Sequence, residues 1–142
     1  MSVYPYIGDL SRADAIVLVD LAQRSSCVIE FGVGGSTMLF AQALSSDAAF
    51  ISIDTSQEWI DRISQRLREL GGMIQVPPVF KLLRAGEPLP QADFVFVDGA
   101  DEHRRSFALD AWRSLRAGGT MAFHDTRRIG DVANVNALIQ HS

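Results

Sequence analysis

The chain has 142 residues, which at roughly 100 to 200 residues per domain predicts one domain spanning residues 1–142. Its hydrophobic fraction of 47% and charged fraction of 21% are close to the globular average and exclude a disordered, collagen-like or coiled-coil chain. The formal net charge of -4 argues against non-specific binding to nucleic acids or anionic membranes, although it does not exclude a nucleic acid substrate.

Cysteine content and hydropathy bear on the cellular compartment. The single cysteine, Cys27, cannot form an intrachain disulfide and is interpreted as a small buried hydrophobic residue. No apolar run approaches the roughly 18 residues of a membrane-spanning helix, and no basic segment of the secretory type precedes the run at 15–19. We therefore expect a soluble, cytoplasmic protein with no membrane partner.

Five apolar stretches rich in branched or aromatic residues alternate with segments of helical period, which predicts a parallel sheet covered by helices. A first helix is predicted to begin at Ser11, with Ala13, Val17 and Leu21 as its apolar stripe. Further helices are predicted over 36–44, from Thr55 or Ser56 to Leu70, over 102–116 with Gly118-Gly119 as the stop, and over 131–140. The predicted strands are 27–31, 50–54, 79–83, 94–98 and 120–124.

Acidic residues lie at or just after the end of every predicted strand. In an open parallel sheet, ligands bind outside the carboxyl ends of the strands, so these positions form one candidate site. Turns and helix caps also favour Asp and Glu, and that interpretation accounts for two or three of the acids. The complete set beside a glycine turn favours a polyhydroxylated or cationic ligand. The five acids are Glu30, Asp54, Glu87, Asp98 and Asp125.

The glycine turn at 32–35, after the first predicted strand, distinguishes two classes of ligand. A dinucleotide fingerprint needs a third glycine at position 37, where this chain has Thr37. A pyrophosphate at the turn would also approach Glu30, and like charges repel in a partly desolvated crevice. S-adenosylmethionine has no phosphate, its sulfonium and ammonium attract carboxylates, and its ribose hydroxyls suit an acid such as Asp54. The charge pattern therefore favours S-adenosylmethionine over a nicotinamide dinucleotide.

Residues 30–37, E-F-G-V-G-G-S-T, resemble the first motif of class I S-adenosylmethionine-dependent methyltransferases, in the version found among small-molecule O-methyltransferases. Later segments resemble further motifs of that family in the same order, and the resemblance covers about residues 11–126. It implies a Rossmann-like three-layer α/β sandwich with a mostly parallel sheet of order 3-2-1-4-5. It also implies an enzyme that methylates a hydroxyl of a small molecule, of the sugar or secondary-metabolite type.

The resemblance also implies which residues bind the cofactor. Asp54 falls at the position of the ribose-binding acid, and Asp98 falls beneath the reacting centre. The glycines also serve a tight turn between strand and helix, which does not compete with cofactor binding, and a helix cap is the alternative interpretation of Asp54. The residues that the resemblance assigns to cofactor binding are Glu30, Gly32, Gly34, Ser36 and Thr37 near the methionyl end, Asp54 and Thr55, Gly86 and Glu87 on the adenine side, and Asp98.

An alcohol acceptor has to lose a proton, so a base is expected within hydrogen-bond reach. His103 and Asp125 are the preferred candidates, and Asp98 and His124 are the others. A buried histidine at a strand end explains His124 equally well, and a surface position explains His103. The lysine that the family often uses as base has no counterpart, because Lys81 is the only lysine and lies in the third predicted strand.

Metal-dependent members of the family hold a divalent cation with acids after strands four and five and an adjacent Asn. The corresponding residues here are Asp98 and Asp125, with Thr126 where the Asn would be. Two carboxylates can still hold a hard cation that keeps several waters, so Mg²⁺ is a second candidate cofactor.

Three expectations concern the end of the chain and the competing functions. The 16 residues at 127–142 are too few for the sixth and seventh strands of the family, so we expect those strands to be absent. The unpaired edge at the fifth strand would then favour a homodimer. Two alternatives to a methyltransferase stay open, namely a catalytically inactive S-adenosylmethionine-binding module and, less favoured, a nicotinamide dinucleotide-binding domain.

Overall fold

The computed structural model of the chain describes residues 11–84, 87–98 and 101–124, and for 101–106 it describes the backbone alone. Helices and strands alternate along this part of the chain, and one 3₁₀ turn, Gly71–Met73, follows the third helix. The helices are α1 (Arg12–Gln23), α2 (Gly35–Ala43), α3 (Gln57–Leu70) and α4 (Asp101–Ser114). The strands are β1 (Cys27–Phe31), β2 (Ala49–Asp54), β3 (Val79–Leu82), β4 (Ala92–Val97) and β5 (Leu115–Phe123).

The strands form one sheet of order β3-β2-β1-β4-β5, in which every neighbouring pair is parallel. This confirms the predicted Rossmann-like α/β fold and its strand order. The chain runs from β1 outward to β3 on one side and then returns to β4 and β5 on the other. The carboxyl ends of β1 and β4 therefore meet at the topological switch point, where ligands of such sheets bind.

Two apolar layers cover the faces of the sheet and account for the three-layer sandwich. On one face Phe40 of α2 packs edge to face against Phe50, Phe94 and Phe96, with ring centroids 5.6 to 5.9 Å apart. Buried residues of α1 and α3 join the same cluster. On the other face, side chains of α4 cover the sheet, and Phe107 lies 5.8 Å from the ring of Phe31.

The predicted apolar stripe of α1 was wrong in its phase. The helix buries Ala15, Leu18, Val19 and Ala22, whereas Val17 is 57% exposed. Both sets have helical spacing, because α1 carries apolar residues on most of its circumference, so the period alone could not select the face that packs. Ser11 does cap the helix as predicted, since its hydroxyl accepts the Asp14 N–H at 3.1 Å.

The boundary between α4 and β5 was also predicted wrongly. The helix ends at Ser114, and the strand begins at Leu115 rather than at Thr120. The pairing of β4 with β5 changes register between Ala92 and Phe94, and Gly118 has a φ of 81°. The glycines therefore accommodate a β-bulge inside the strand instead of ending the helix.

Other boundaries differ from the prediction by one or two residues, and Gly71 ends α3 as expected, with a φ of 54°. Cys27 is buried, as predicted. The predicted helix over 131–140 lies outside the described residues. Among the residues that the structure describes, no helix has both the length and the apolar character to cross a membrane.

Candidate cofactor site

The glycine turn, defined here as Gly32 to Gly35, begins where β1 leaves the sheet between β2 and β4. Gly32 has a φ of 99°, a conformation that glycine adopts far more readily than other residues. Its N–H donates to the Ile53 carbonyl at 2.7 Å, and the Asp98 N–H donates to the Phe31 carbonyl at 2.7 Å. Both neighbouring strands therefore fix the chain where it enters the turn.

Glu30, in the middle of the sheet, has no exposed surface. Its carboxylate accepts hydrogen bonds from the Ser36 and Thr37 hydroxyls at the start of α2, and from the Ser52 hydroxyl on β2 at 2.6 Å. The Thr37 hydroxyl also accepts the Gly34 N–H at 2.9 Å. The glutamate thus ties the first turn of α2, and through Thr37 the glycine turn, to the two central strands.

Burial sets the protonation behaviour of Glu30. Desolvation raises the pKa of its carboxyl to about 7 from an ordinary value of 4.5, since the charged form loses its water. Hydrogen bonds from Ser36, Ser52 and Thr37 oppose this rise, while the nearby charge of Asp98 adds to it. The group therefore titrates near neutral pH although three hydroxyls bind it.

Asp54 ends β2 and binds the same turn from the side. Its Oδ2 accepts the Val33 N–H at 2.9 Å, and its Oδ1 accepts the backbone N–H groups of Thr55 at 2.7 Å and Ser56 at 3.1 Å. The residue that caps α3 is Ser56, whose hydroxyl accepts the Trp59 N–H at 3.2 Å. Asp54 is therefore a ligand of the glycine turn rather than the cap of α3.

Trp59 is a contact of the turn that the sequence analysis did not identify. Its indole Nε1–H donates to the Val33 carbonyl oxygen, so Asp54 at the end of β2 and Trp59 in α3 together bind both polar groups of the Val33 backbone. The buried residues of α3 are Ile60, Ile63, Leu67 and Leu70, and Trp59 lies at the border of this apolar stripe. No sequence signal identifies the contact, because Trp59 and Val33 belong to segments that follow different strands.

Asp98 and His124 lie together at the ends of β4 and β5. The His124 Nδ1 atom is 3.1 Å from Asp98 Oδ2, and the two side chains are 13% and 22% exposed, respectively. The His124 N–H donates to the Val97 carbonyl at 3.0 Å, which continues the pairing of the strands. The structure thus places an Asp–His pair at the carboxyl edge beside the glycine turn.

Glu87, predicted on the adenine side, is half-buried and forms an ion pair with Lys81 on β3 at 2.8 Å. This contact holds the pKa of the Glu87 carboxyl below its ordinary value. Thr55 is exposed at the start of the loop before α3. The structure therefore leaves Glu87 charged and places Lys81 beside it, away from the Asp–His pair.

Several predicted site residues lie outside the described part of the chain. They are Gly86, Asp125 and Thr126, and His103 is described only by its backbone in α4. Over the described ranges, no group of three or more His, Cys, Asp or Glu side chains could hold a metal ion. The magnesium site stays a prediction, since one of its two carboxylates is Asp125.

Comparisons with known proteins agree with this fold. A family profile described as "Methyltransferase domain" matches residues 29–126, which include the end of β1, the glycine turn, Asp54 and the Asp–His pair. The chain therefore belongs to the methyltransferase-domain family. No curated protein matches the chain.

Solved structures similar to the chain include several O-methyltransferases. TomG from Streptomyces achromogenes, an O-methyltransferase involved in tomaymycin synthesis, is 21% identical, with a TM-score of 0.66 over 93% of this chain and 68% of that one. An O-methyltransferase from Bacillus cereus is 19% identical, with a TM-score of 0.69 over 94% of this chain and 70% of the Bacillus cereus chain. A third O-methyltransferase, from Thermotoga maritima, is 18% identical, with a TM-score of 0.74 over 94% of this chain and 51% of the Thermotoga maritima chain. Family and fold together confirm the predicted class, that of S-adenosylmethionine-dependent methyltransferases.

The raised pKa of Glu30 predicts a pH-dependent stability. The folded chain binds this proton more tightly than the unfolded chain, so the contribution of Glu30 to the free energy of unfolding is largest below pH 4.5 and falls as the pH rises to about 7. At about 1.4 kcal/mol per pKa unit, the fall from this group is on the order of 3 kcal/mol. The Glu30→Gln variant has no such proton to lose and is expected to lack this fall.

Urea unfolding at about pH 5 and about pH 8 measures the difference, because the other titrating groups are common to both proteins. The control is Glu58→Gln, since the Glu58 side chain is 86% exposed, and it should behave as the wild type does. An equal pH dependence in Glu30→Gln and the wild type would refute the assigned pKa.

Proposed function

We propose that the chain binds S-adenosylmethionine over the glycine turn and transfers its methyl group to a hydroxyl of a small molecule. The observation that carries the proposal is the placement of two carboxylates, Glu30 and Asp54, around one glycine turn at the switch point of a methyltransferase-type sheet. The similar structure of TomG was solved with S-adenosylmethionine, and that of the Bacillus cereus enzyme with S-adenosylhomocysteine. Both support the choice of cofactor.

The residues of the turn fit this cofactor. A Cβ at Gly34 would meet no heavy atom within 4 Å, so there is open space over the turn where a ligand can approach the backbone. The first N–H groups of an α-helix have no partner inside the helix, and those of α2 can bind the methionyl carboxylate. In its ionised form, above its pKa of about 7, Glu30 behind them provides negative charge for the sulfonium and the ammonium.

Asp54 fits the ribose. A carboxylate has about four acceptor positions, and three backbone N–H groups bind to that of Asp54. One position is left for a ribose hydroxyl. The same hydrogen bonds fix the direction of the carboxylate, which lowers the ordering needed when the ligand binds.

For the proton of the acceptor, the geometry favours His124 as the base and Asp98 as the residue that positions it. An acid bound to Nδ1 selects the tautomer in which Nε2 is the basic atom and stabilises the imidazolium formed on proton transfer. The methyl group bound to sulfur is already activated, so the remaining task of the chain is to hold acceptor and methyl in line. His103 and Asp125 stay predictions as bases.

The finer parts of the proposal are the acceptor and the assembly. We propose a sugar or secondary-metabolite acceptor, which the fold likeness to TomG, an enzyme involved in tomaymycin synthesis, supports. Magnesium, a cytoplasmic location, a homodimer and the absence of a nucleic acid partner stay predictions.

Calorimetric titration with S-adenosylhomocysteine tests the cofactor site. We expect micromolar binding to the wild type, and a loss of at least about tenfold in Asp54→Ala because a hydroxyl acceptor and the support of Val33 disappear together. In Gly34→Val the side chain fills the open space over the turn, so binding should be abolished while the unfolding temperature stays within a few degrees.

The matched control is Asp61→Ala, which removes an exposed carboxylate of α3 and should leave the affinity unchanged. A parallel titration with NAD distinguishes the nicotinamide alternative. Binding of NAD and not of S-adenosylhomocysteine would refute the proposal.

Turnover separates an enzyme from an inactive binding module. With a panel of hydroxylated acceptors, release of S-adenosylhomocysteine is expected from the wild type and is expected to fall by about 10²- to 10⁴-fold in His124→Gln, the range of general base catalysis. Affinity for S-adenosylhomocysteine should stay the same in this variant. Undiminished turnover in His124→Gln would assign the proton transfer to another residue.

A further inference from the structure

Trp59 lies beside the buried residues of α3 and is only partly covered. Its side chain is 36% exposed, and the Arg62 guanidinium lies over its ring, 5.3 Å from the centroid. Packing and this cation–π contact require an aromatic ring at the position, but not the indole N–H. Its polar atom, in contrast, has a specific partner in the Val33 carbonyl oxygen.

The backbone of Trp59 is fixed relative to Asp54. The Trp59 N–H donates to the Ser56 hydroxyl at 3.2 Å, and Ser56 donates its own N–H to Asp54 Oδ1 at 3.1 Å. Asp54 in turn accepts the Val33 N–H. The end of β2 and the first turn of α3 thus form a clamp that binds the N–H of Val33 with a carboxylate and its C=O with an indole.

The Val33 carbonyl belongs to the same planar peptide unit as the Gly34 N–H. That N–H donates to the Thr37 hydroxyl, which donates to Glu30. One peptide plane is therefore held at both ends, by Trp59 at its oxygen and by Thr37 at its nitrogen. Since the plane cannot rotate without breaking both hydrogen bonds, Trp59 helps to fix the direction of the backbone groups that face the open space at Gly34.

We propose that Trp59 is a positioning residue for the cofactor, which holds the peptide between Val33 and Gly34 in the orientation that binds the ligand. The inference rests on the cofactor site proposed above and adds a residue outside the sequence motifs. Because the indole donates to the turn itself, ligand binding changes the surroundings of the ring and with them its fluorescence.

The chain has two tryptophans, so two variants separate their signals. Trp112→Phe leaves Trp59 as the single fluorophore, and Trp59→Phe leaves Trp112, which is 43% exposed near the C-terminal end of α4. Helices that connect parallel strands run antiparallel to them, so the C-terminal end of α4 lies at the amino edge of the sheet. Trp112 is therefore at the opposite edge from the glycine turn. S-adenosylhomocysteine is expected to change the emission of Trp112→Phe and to leave that of Trp59→Phe unchanged.

Calorimetry on the same two variants measures the energetic role. Trp59→Phe keeps an aromatic ring and removes the indole N–H, so the affinity for S-adenosylhomocysteine should fall by about 3- to 10-fold, as for the loss of one hydrogen bond. Trp112→Phe should bind as the wild type does. This pairing gives a matched control with the same chemical change at a similarly exposed position.

The outcomes distinguish this inference from the proposed function. If the wild type binds and Trp59→Phe binds equally well, or if the emission of Trp59 does not respond to bound ligand, the positioning role is refuted while the cofactor site stands. If the wild type does not bind S-adenosylhomocysteine in the calorimeter, the proposed function is refuted and this inference with it. The fluorescence titration of Trp112→Phe measures the response of Trp59 to the ligand even if Trp59→Phe does not fold.

Discussion

The hydrogen bond from the Val33 N–H to the Asp54 carboxylate joins the end of β2 to the glycine turn, where the chain leaves β1 with Gly32 at a φ of 99°. On its other side the turn is bound through Thr37 to Glu30, an acid with no exposed surface. The site thus depends on two carboxylates of adjacent strands that hold one glycine turn. Water does not solvate Glu30, so the protein must supply its hydrogen-bond donors.

This requirement explains polar residues that otherwise look misplaced. Ser52 interrupts an apolar strand because it lies in register with Glu30 on the neighbouring strand and donates to it. Ser36 and Thr37 are buried at the start of a mostly apolar helix for the same reason. A buried acid satisfied by three hydroxyls resists replacement, since removing one donor leaves charge without a partner. The same arrangement provides negative charge behind the turn, which suits a cation and disfavours a phosphate.

The sequence sufficed for the fold and for the residues that lie at the carboxyl edge of the sheet. Strands with both faces buried show continuous apolar runs, and the acids at their ends mark the carboxyl edge, so β1, β4, Asp54 and Asp98 were found. The sequence did not suffice where one pattern of residues is compatible with two different local structures. The apolar residues of α1 gave two possible packing faces, and Gly118 and Gly119 suited a helix stop as well as a β-bulge inside β5.

The contacts inside the site were also beyond the sequence. A glutamate beside a glycine turn can face a ligand or face the core, and only the packing of α2 on β1 shows that Glu30 is buried under hydroxyls. The pairing of His124 with Asp98 needs the register of β4 with β5, which includes the bulge. Trp59 contacts the turn through a helix that begins after a different strand, so no local motif contains both partners.

The central claim is that the glycine turn is already formed before any ligand binds. Amide hydrogen exchange at Val33 and Gly34, followed by NMR in the ligand-free chain, tests it most directly. We expect slow exchange at both amides in the wild type. In Asp54→Ala the protection should fall more at Val33, whose N–H donates to Asp54, than at Gly34, whose N–H donates to Thr37. Exchange of both amides at the rate of an unstructured peptide in the wild type would contradict it and would mean that the ligand itself orders the turn.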